Sequence, residues 1–177
     1  MPKQNITMGV FPVEGGYWFN NSFDEKRGKG KHVSIDIFGK RTATVVSPFI
    51  FPGEVIETTT EEETPKGGNT VTIKYTIDNF TFYAYYAHLD EVFVFEGRIV
   101  NMGDMIGTLG RSGNASGPDG VGGTRCHLHL NLYKIYGNDK HSFINPYKEL
   151  LAIADKKLKM ASKCKKDPEK CEWCGGH

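Results

Sequence analysis

The sequence predicts a mainly β protein, with an antiparallel sheet or sandwich that forms a grooved scaffold and one α-helix near the C-terminus. Residues 70–77 and 80–86 are rich in β-branched and aromatic side chains, which favour strands. Asp78 and Asn79 between them are typical of a tight hairpin turn. A helical spacing of apolar residues follows Pro146.

A further strand is predicted before this hairpin. Residues 54–60 contain valine, isoleucine and three threonines, and we expect them to pair with residues 70–77. The connection, residues 61–68, is polar and ends in two glycines, which is typical of a surface loop. Antiparallel strands joined by such loops can form a groove long enough to hold an extended peptide.

The predicted helix begins after Asn145 and Pro146, since proline suits the first turn of a helix. Its apolar residues recur at helical spacing, with lysines on the opposite side. These residues are Tyr147, Leu150, Leu151, Ala154, Leu158 and Ala161. We expect the apolar side of the helix to pack on the sheet and the lysines to face solvent.

Length and charge limit the classes of protein. The 177 residues suffice for a single hydrophobic core, so we assign residues 1–150 to one domain and residues 151–177 to the helix end and a cysteine-rich tail. The formal net charge of +1 argues against nucleic-acid binding by bulk electrostatics. No continuous apolar stretch approaches the length of a membrane span. The sequence does not indicate the oligomeric state.

The pair His127 and His129 has the pattern of a metal site. Because side chains alternate along a strand, both imidazoles would lie on the same face, about 7 Å apart. That separation is too large for both to bind one ion from a flat strand. We therefore expect one of them to bind a metal and the other to face a substrate beside it.

Two other segments could complete such a site. His32 and Asp36 would lie about 13 Å apart on a straight strand, so joint binding requires a bend, which Gly28, Gly30 and Ser34 permit. Two histidines and one carboxylate leave the fourth tetrahedral position to water, the pattern of catalytic zinc. A further histidine, His88, follows an aromatic run.

In this order the blocks resemble the lysostaphin-type (LytM-like) zinc metallopeptidases, which cleave peptide bonds of bacterial peptidoglycan. The family's His-x-x-x-Asp block matches His32 and Asp36, its Tyr-Ala-His-Leu block matches residues 86–89, and its His-x-His block matches His127 and His129. Glycine-rich stretches between the blocks also match, and the resemblance spans roughly residues 14–150.

The resemblance implies a role for each of these residues. His32, Asp36 and His129 would bind one zinc ion, and His88 and His127 would be the catalytic histidines. His127 would accept a proton from the attacking water, and His88 would stabilise the charge that develops on the carbonyl oxygen. The implied activity is endopeptidase cleavage of stem or cross-bridge peptides, zinc-dependent and located at the bacterial cell wall.

Three features depart from the family pattern. Ser34 stands where the family usually has glycine, although serine also occupies bends. Residues 116–126 form an expanded loop before the last block, which would reshape one wall of the cleft. Arg27 lies close to a segment like the family's Phe-Gly-x-Arg but at a different spacing, so either a substrate contact or a solvated surface position fits it.

Two other functions share this resemblance. Relatives without zinc ligands act as binding modules that regulate wall hydrolases, and a related zinc architecture serves D-alanyl-D-alanine carboxypeptidases. Retention of all five residues argues against the first, and the absence of a Ser-x-His block argues against the second. The first residues lack the apolar core of a secretory signal, which leaves periplasmic, extracellular and phage-delivered action open.

The cysteines carry a separate prediction. Three thiols and one imidazole in the tail are the donors of a small structural zinc site, namely Cys164, Cys171, Cys174 and His177. A disulfide from Cys164 to Cys171 or Cys174, or a tail without metal, are the alternatives. We expect Cys126 to be a buried strand residue and His141 to lie on the surface.

Overall fold

The computed structural model describes residues 6–116, 123–137 and 140–154. Among these residues a large antiparallel sheet dominates, and a two-stranded hairpin lies beside it. The strands are β1 (Tyr17–Phe19), β2 (Lys26–Arg27), β3 (Gly30–Lys31), β4 (Ile35–Gly39), β5 (Thr44–Val46), β6 (Gly53–Thr59), β7 (Asn69–Ile77), β8 (Phe80–Val92), β9 (Ile99–Val100), β10 (Met105–Leu109), β11 (His127–Tyr136) and β12 (Lys140–Ile144). The predicted mainly antiparallel fold class is confirmed.

The order of strands places β11 in the interior of the sheet. Neighbouring strands in the sheet follow the order β1, β4, β11, β8, β7, β6 and β9. Strand β10 pairs with β5 and β8, and β12 pairs with the second half of β11. Strand β11 therefore pairs with β4 along its first half and with β8 through its middle. Segments that are far apart in the chain meet on these three adjacent strands.

The predicted hairpin is present. Strands β7 and β8 pair from Ile77 and Phe80 outward, with a turn at residues 78 and 79. Asp78 takes a φ of 52°, the left-handed conformation that aspartate tolerates in tight turns. The preceding strand, β6, pairs with β7 as predicted, so the polar connection of residues 61–68 lies at one end of this part of the sheet.

Alternation along the strands separates the core from the opposite face. On β11, Leu128, Leu130 and Leu132 are fully buried members of the hydrophobic core. The residues between them, including His127 and His129, therefore lie on the other face of the sheet. Elsewhere in the core, aromatic rings pack closely, as in Phe49 with Tyr75 at 4.5 Å and Tyr75 with Phe82 at 5.2 Å between ring centroids.

The helix α1 (Tyr147–Ile153) follows Pro146 as predicted, and Leu150 anchors it in the core. The prediction that the helix continues to Ala161 falls outside the described residues, as does the cysteine-rich tail. Cys126 is buried as predicted but lies at the bend directly before β11 rather than in the strand. Its thiol is free, and burial raises its pKa, which makes it a poor nucleophile. Within the described ranges, no helix has the length and apolar character needed to cross a membrane.

Candidate metal centre

Strand register brings two of the predicted residues directly opposite each other. His129 on β11 pairs with Asp36 on β4 and, on its other side, with Ala87 on β8. Because paired residues of neighbouring strands project to the same face, the imidazole and the carboxylate meet on the face opposite the core. Ile35 and Ile37, which flank Asp36, are fully buried in the core and establish the alternation of β4.

A bend before β4 places the side chain of His32 beside those of Asp36 and His129. Residues 32–34 lie between strands β3 and β4, with the bend at Ser34, as the sequence predicts. The main chain of His32 is held by hydrogen bonds to Glu25 and Asp24. Its ring Nδ1 lies 3.0 Å from the carbonyl oxygen of Ser22, so Nδ1–H donates and Nε2 carries the free lone pair.

The three side chains form a compact triangle of donor atoms. His32 Nε2 lies 3.2 Å from Asp36 Oδ1 and 3.3 Å from His129 Nδ1, and His129 Nδ1 lies 3.2 Å from Asp36 Oδ1. In a tetrahedral zinc site, donors at about 2.0–2.1 Å from the metal are separated by about 3.3–3.4 Å. The observed spacing matches this requirement without rearrangement.

The state of Asp36 also fits a metal ligand. Its Oδ1 is buried and has no hydrogen-bond partner in the described part of the chain, an arrangement that is costly unless a cation satisfies the oxygen. Burial raises the pKa of Asp36, but interaction with His129 and His32 outweighs it and lowers the pKa overall. Asp36 is therefore a carboxylate, and the donor set of two imidazoles and one carboxylate suits zinc.

The other carboxylate oxygen has a cationic partner. Arg27 Nη2 donates to Asp36 Oδ2 at 2.7 Å, so the carboxylate is oriented with Oδ1 towards the two imidazoles. Arg27 lies on β2 of the small hairpin and its side chain is about half exposed. The guanidinium thus contacts a candidate metal ligand, and a contact with substrate by the exposed part of Arg27 stays a prediction.

His88 and His127 lie beside the triangle with their rings 4.8 Å apart. His127 Nε2 is 3.9 Å from Asp36 Oδ1, farther than His129 Nδ1 at 3.2 Å, and the division of roles between His127 and His129 stays a prediction. His88 directly follows Ala87, the last residue of β8 that pairs with β11, and has a φ of 64°, a left-handed conformation. Such strain in a residue without glycine's freedom is characteristic of functional sites.

Backbone carbonyls orient both of these rings. His127 Nδ1 lies 2.7 Å from the carbonyl oxygen of Arg125, and His88 Nδ1 lies 2.9 Å from that of Ser112. In both neutral rings Nδ1 thus donates, and Nε2 is left to accept a proton. Burial lowers the pKa of His127, and burial with the nearby imidazoles lowers that of His88 to about 4.

A cleft opens over this centre. Its walls include His32, His88 and His129, with Ala87 of the second motif and Arg27. The lining residues outside the motifs are Lys66, Gly67, Tyr85 and Asn114. Lys66 and Gly67 belong to the polar connection between β6 and β7, which therefore lies at the rim of the cleft. His141, in contrast, is exposed on β12 and packs on Tyr133.

The antiparallel sheet thus carries a His-Asp-His set beneath a cleft, and this donor set could hold a metal ion. A family model described as Peptidase family M23 matches residues 30–146 of the chain. That range includes all five motif residues and most of the sheet. The chain belongs to peptidase family M23.

Three solved structures are similar to this chain in fold. The lytM protein of Ruminococcus gnavus is 28% identical, with a TM-score of 0.65, over 81% of this chain and 59% of that chain. A zinc containing peptidase from Vibrio cholerae is 24% identical, with a TM-score of 0.55, over 77% and 39%. Lysostaphin from Staphylococcus simulans is 18% identical, with a TM-score of 0.59, over 82% and 56%. No curated protein matches the chain.

The contact between Arg27 and Asp36 predicts an effect on metal binding. Replacement of Arg27 by methionine is expected to weaken zinc binding about 10–100-fold, because partners that orient a metal ligand typically have effects of that size. Competition titration against a chromophoric chelator measures the change. Lys31→Gln is the matched control, since Lys31 is an exposed cation of the same hairpin that pairs with Asp24. Equal affinity of Arg27→Met and the parent would contradict an orienting role.

Proposed function

We propose that the chain is a zinc-dependent endopeptidase that hydrolyses peptide cross-links of bacterial peptidoglycan. The observation that carries this proposal is the triangle of His32, Asp36 and His129 with tetrahedral spacing, at the base of a cleft that also contains His88. Membership of a peptidase family supports the reaction class, and the zinc named for the Vibrio cholerae relative supports the metal.

His32 through Nε2, Asp36 through Oδ1 and His129 through Nδ1 would hold the ion. Bound there, zinc supplies Lewis acidity, which polarises a scissile carbonyl and lowers the pKa of a water molecule. The protein side chains would transfer the protons and stabilise the developing charge. His127 is neutral because burial lowers its pKa, and its Nε2 faces the centre, so it is poised to accept the proton of the attacking water.

His88 has a different task. Its Nδ1–H is committed to the Ser112 carbonyl, so Nε2 becomes a donor only when the ring is protonated. Its pKa of about 4 keeps the resting ring neutral. Negative charge developing on the substrate oxygen raises the proton affinity of a neighbouring imidazole. We propose that His88 then takes up a proton from solvent in the cleft and donates a hydrogen bond to that oxygen through Nε2.

Charge in the cleft bears on the substrate. The cleft-lining residues include the cations Arg27 and Lys66, and none of the residues lining it in the described part of the chain is acidic. Peptidoglycan stem peptides carry carboxylates, whereas glycine bridges between stems are uncharged along their length. This difference favours cross-links between stem peptides, which we propose as the preferred substrate.

The decisive experiment is digestion of purified sacculi of both cross-link types, with products identified by mass spectrometry. The expected result is new amino termini within the stem-peptide cross-links, which disappear after treatment with a chelator and return when zinc is added. Release of single terminal D-alanine residues would instead identify a carboxypeptidase. An intact sacculus in the presence of zinc-loaded protein would remove the support for an enzyme and leave the regulatory module.

A further inference from the structure

Ser34 places a hydroxyl group against the candidate metal centre. The residue is fully buried at the bend before β4, and its side chain turns towards the imidazoles rather than solvent. Ser34 Oγ lies 2.6 Å from His32 Nε2 and 3.1 Å from His129 Nδ1. These nitrogens are the two that the proposed zinc site uses.

The direction of each hydrogen bond follows from the surrounding donors. His32 Nδ1–H donates to the Ser22 carbonyl, so Nε2 of the neutral ring is an acceptor and the Ser34 hydroxyl is its donor. A hydroxyl has one hydrogen, which this bond uses. Towards His129, Ser34 Oγ can then only accept, and His129 Nδ1 also lies 3.2 Å from Asp36 Oδ1.

Metal binding cannot coexist with this chain of hydrogen bonds. The ion requires the lone pair of His32 Nε2, to which the Ser34 hydroxyl donates, so this hydrogen bond must break before the ion binds. We propose that Ser34 competes with the metal for its ligands and thereby lowers the affinity of the centre, so that zinc is exchangeable. This inference rests on the proposed zinc site.

The opposite effect, in which Ser34 holds the ligands ready for the metal, has less support. His129 and Asp36 are held at their spacing by the pairing of β11 with β4. The Ser22 carbonyl holds the ring of His32, and Arg27 holds the carboxylate of Asp36. The ligand geometry thus has supports that do not involve the Ser34 hydroxyl, and its removal leaves them in place.

The test is a zinc titration of the metal-stripped chain in competition with a chromophoric chelator. Ser34→Ala is expected to bind zinc about tenfold more tightly than the parent, the effect of removing one competing buried hydrogen bond. Its zinc is also expected to transfer more slowly to excess chelator. Ser22→Ala is the matched control, since the Ser22 hydroxyl is equally buried but bonds only to the main chain of Ser34 and Asp36.

The Ser22→Ala variant is expected to bind zinc no more tightly than the parent, and thermal unfolding checks that both variants are folded. Unchanged affinity of Ser34→Ala would overturn the competition. Weaker binding together with an altered visible spectrum of the Co²⁺ form would also overturn it, because the hydroxyl would then be a ligand. If the parent bound no zinc, both this inference and the proposed function would fail, whereas failure of Ser34→Ala alone leaves the function intact.

Discussion

Replacement of His129 by alanine is expected to abolish zinc binding at micromolar metal and, with it, peptidoglycan cleavage. His129 supplies one of three donor atoms, and its Nδ1 lies 3.2 Å from Asp36 Oδ1. Loss of a partner that only orients a ligand costs about 10–100-fold in affinity, so loss of the ligand itself is expected to cost more. Metal content after gel filtration and the competition titration measure the effect.

The control for this variant is His141→Ala, because His141 is an exposed histidine on β12 that takes no part in the centre. It is expected to retain full metal content and full cleavage activity. The His129 side chain is partly exposed to the cleft, so its truncation should leave the fold intact, which the unfolding temperature checks. Parental metal content and activity in a folded His129→Ala variant would show that the metal lies elsewhere.

Replacement of His127 by alanine is expected to leave zinc bound while peptidoglycan cleavage is lost. His127 Nε2 lies 3.9 Å from Asp36 Oδ1, outside the triangle of ligands, and its ring is oriented by the Arg125 carbonyl. General-base catalysis typically contributes about 10²–10⁴-fold, and kcat is expected to fall by that factor. Hydrolysis of a soluble cross-linked peptide by zinc-loaded protein provides the rate.

Two comparisons make the test specific. His127→Gln retains a polar side chain of similar length but lacks a basic nitrogen, so it is expected to be as inactive as the alanine variant. KM should change little in either variant if the role is proton transfer alone. A variant that loses zinc along with activity would assign His127 to the metal instead, and full activity would exclude the proposed base.

Local sequence patterns were sufficient to predict strands β6, β7 and β8 and the kinds of donor residue at the candidate site. The β-branched and aromatic residues of β7 and β8 and the turn between them are read from neighbours in the chain, as is the alternation of His127 and His129. The need for a bend between His32 and Asp36 follows from the length of an extended residue. These features depend on backbone geometry that is the same in every protein.

The arrangement of the candidate site could not be predicted from the sequence, because it depends on contacts between distant segments. His32 and His129 are 97 positions apart, and only the assembled sheet brings their nitrogens within 3.3 Å. The groups that orient the rings of His88 and His127 are backbone carbonyls, which every residue possesses and no motif marks. The contact of Arg27 with Asp36 likewise requires the small hairpin to pack against β4.

The position of β11 between β4 and β8 has a consequence for how the protein loses its function on heating. Hydrogen bonds in the interior strands of a sheet open last, often only with the whole domain, whereas loops open locally at little cost. Asp36 and His129 lie on these interior strands, while the cleft rim lies on a loop. On heating, the loop at the cleft rim should therefore open and weaken substrate binding before the donor atoms separate. The donor atoms should separate only when the whole domain unfolds cooperatively.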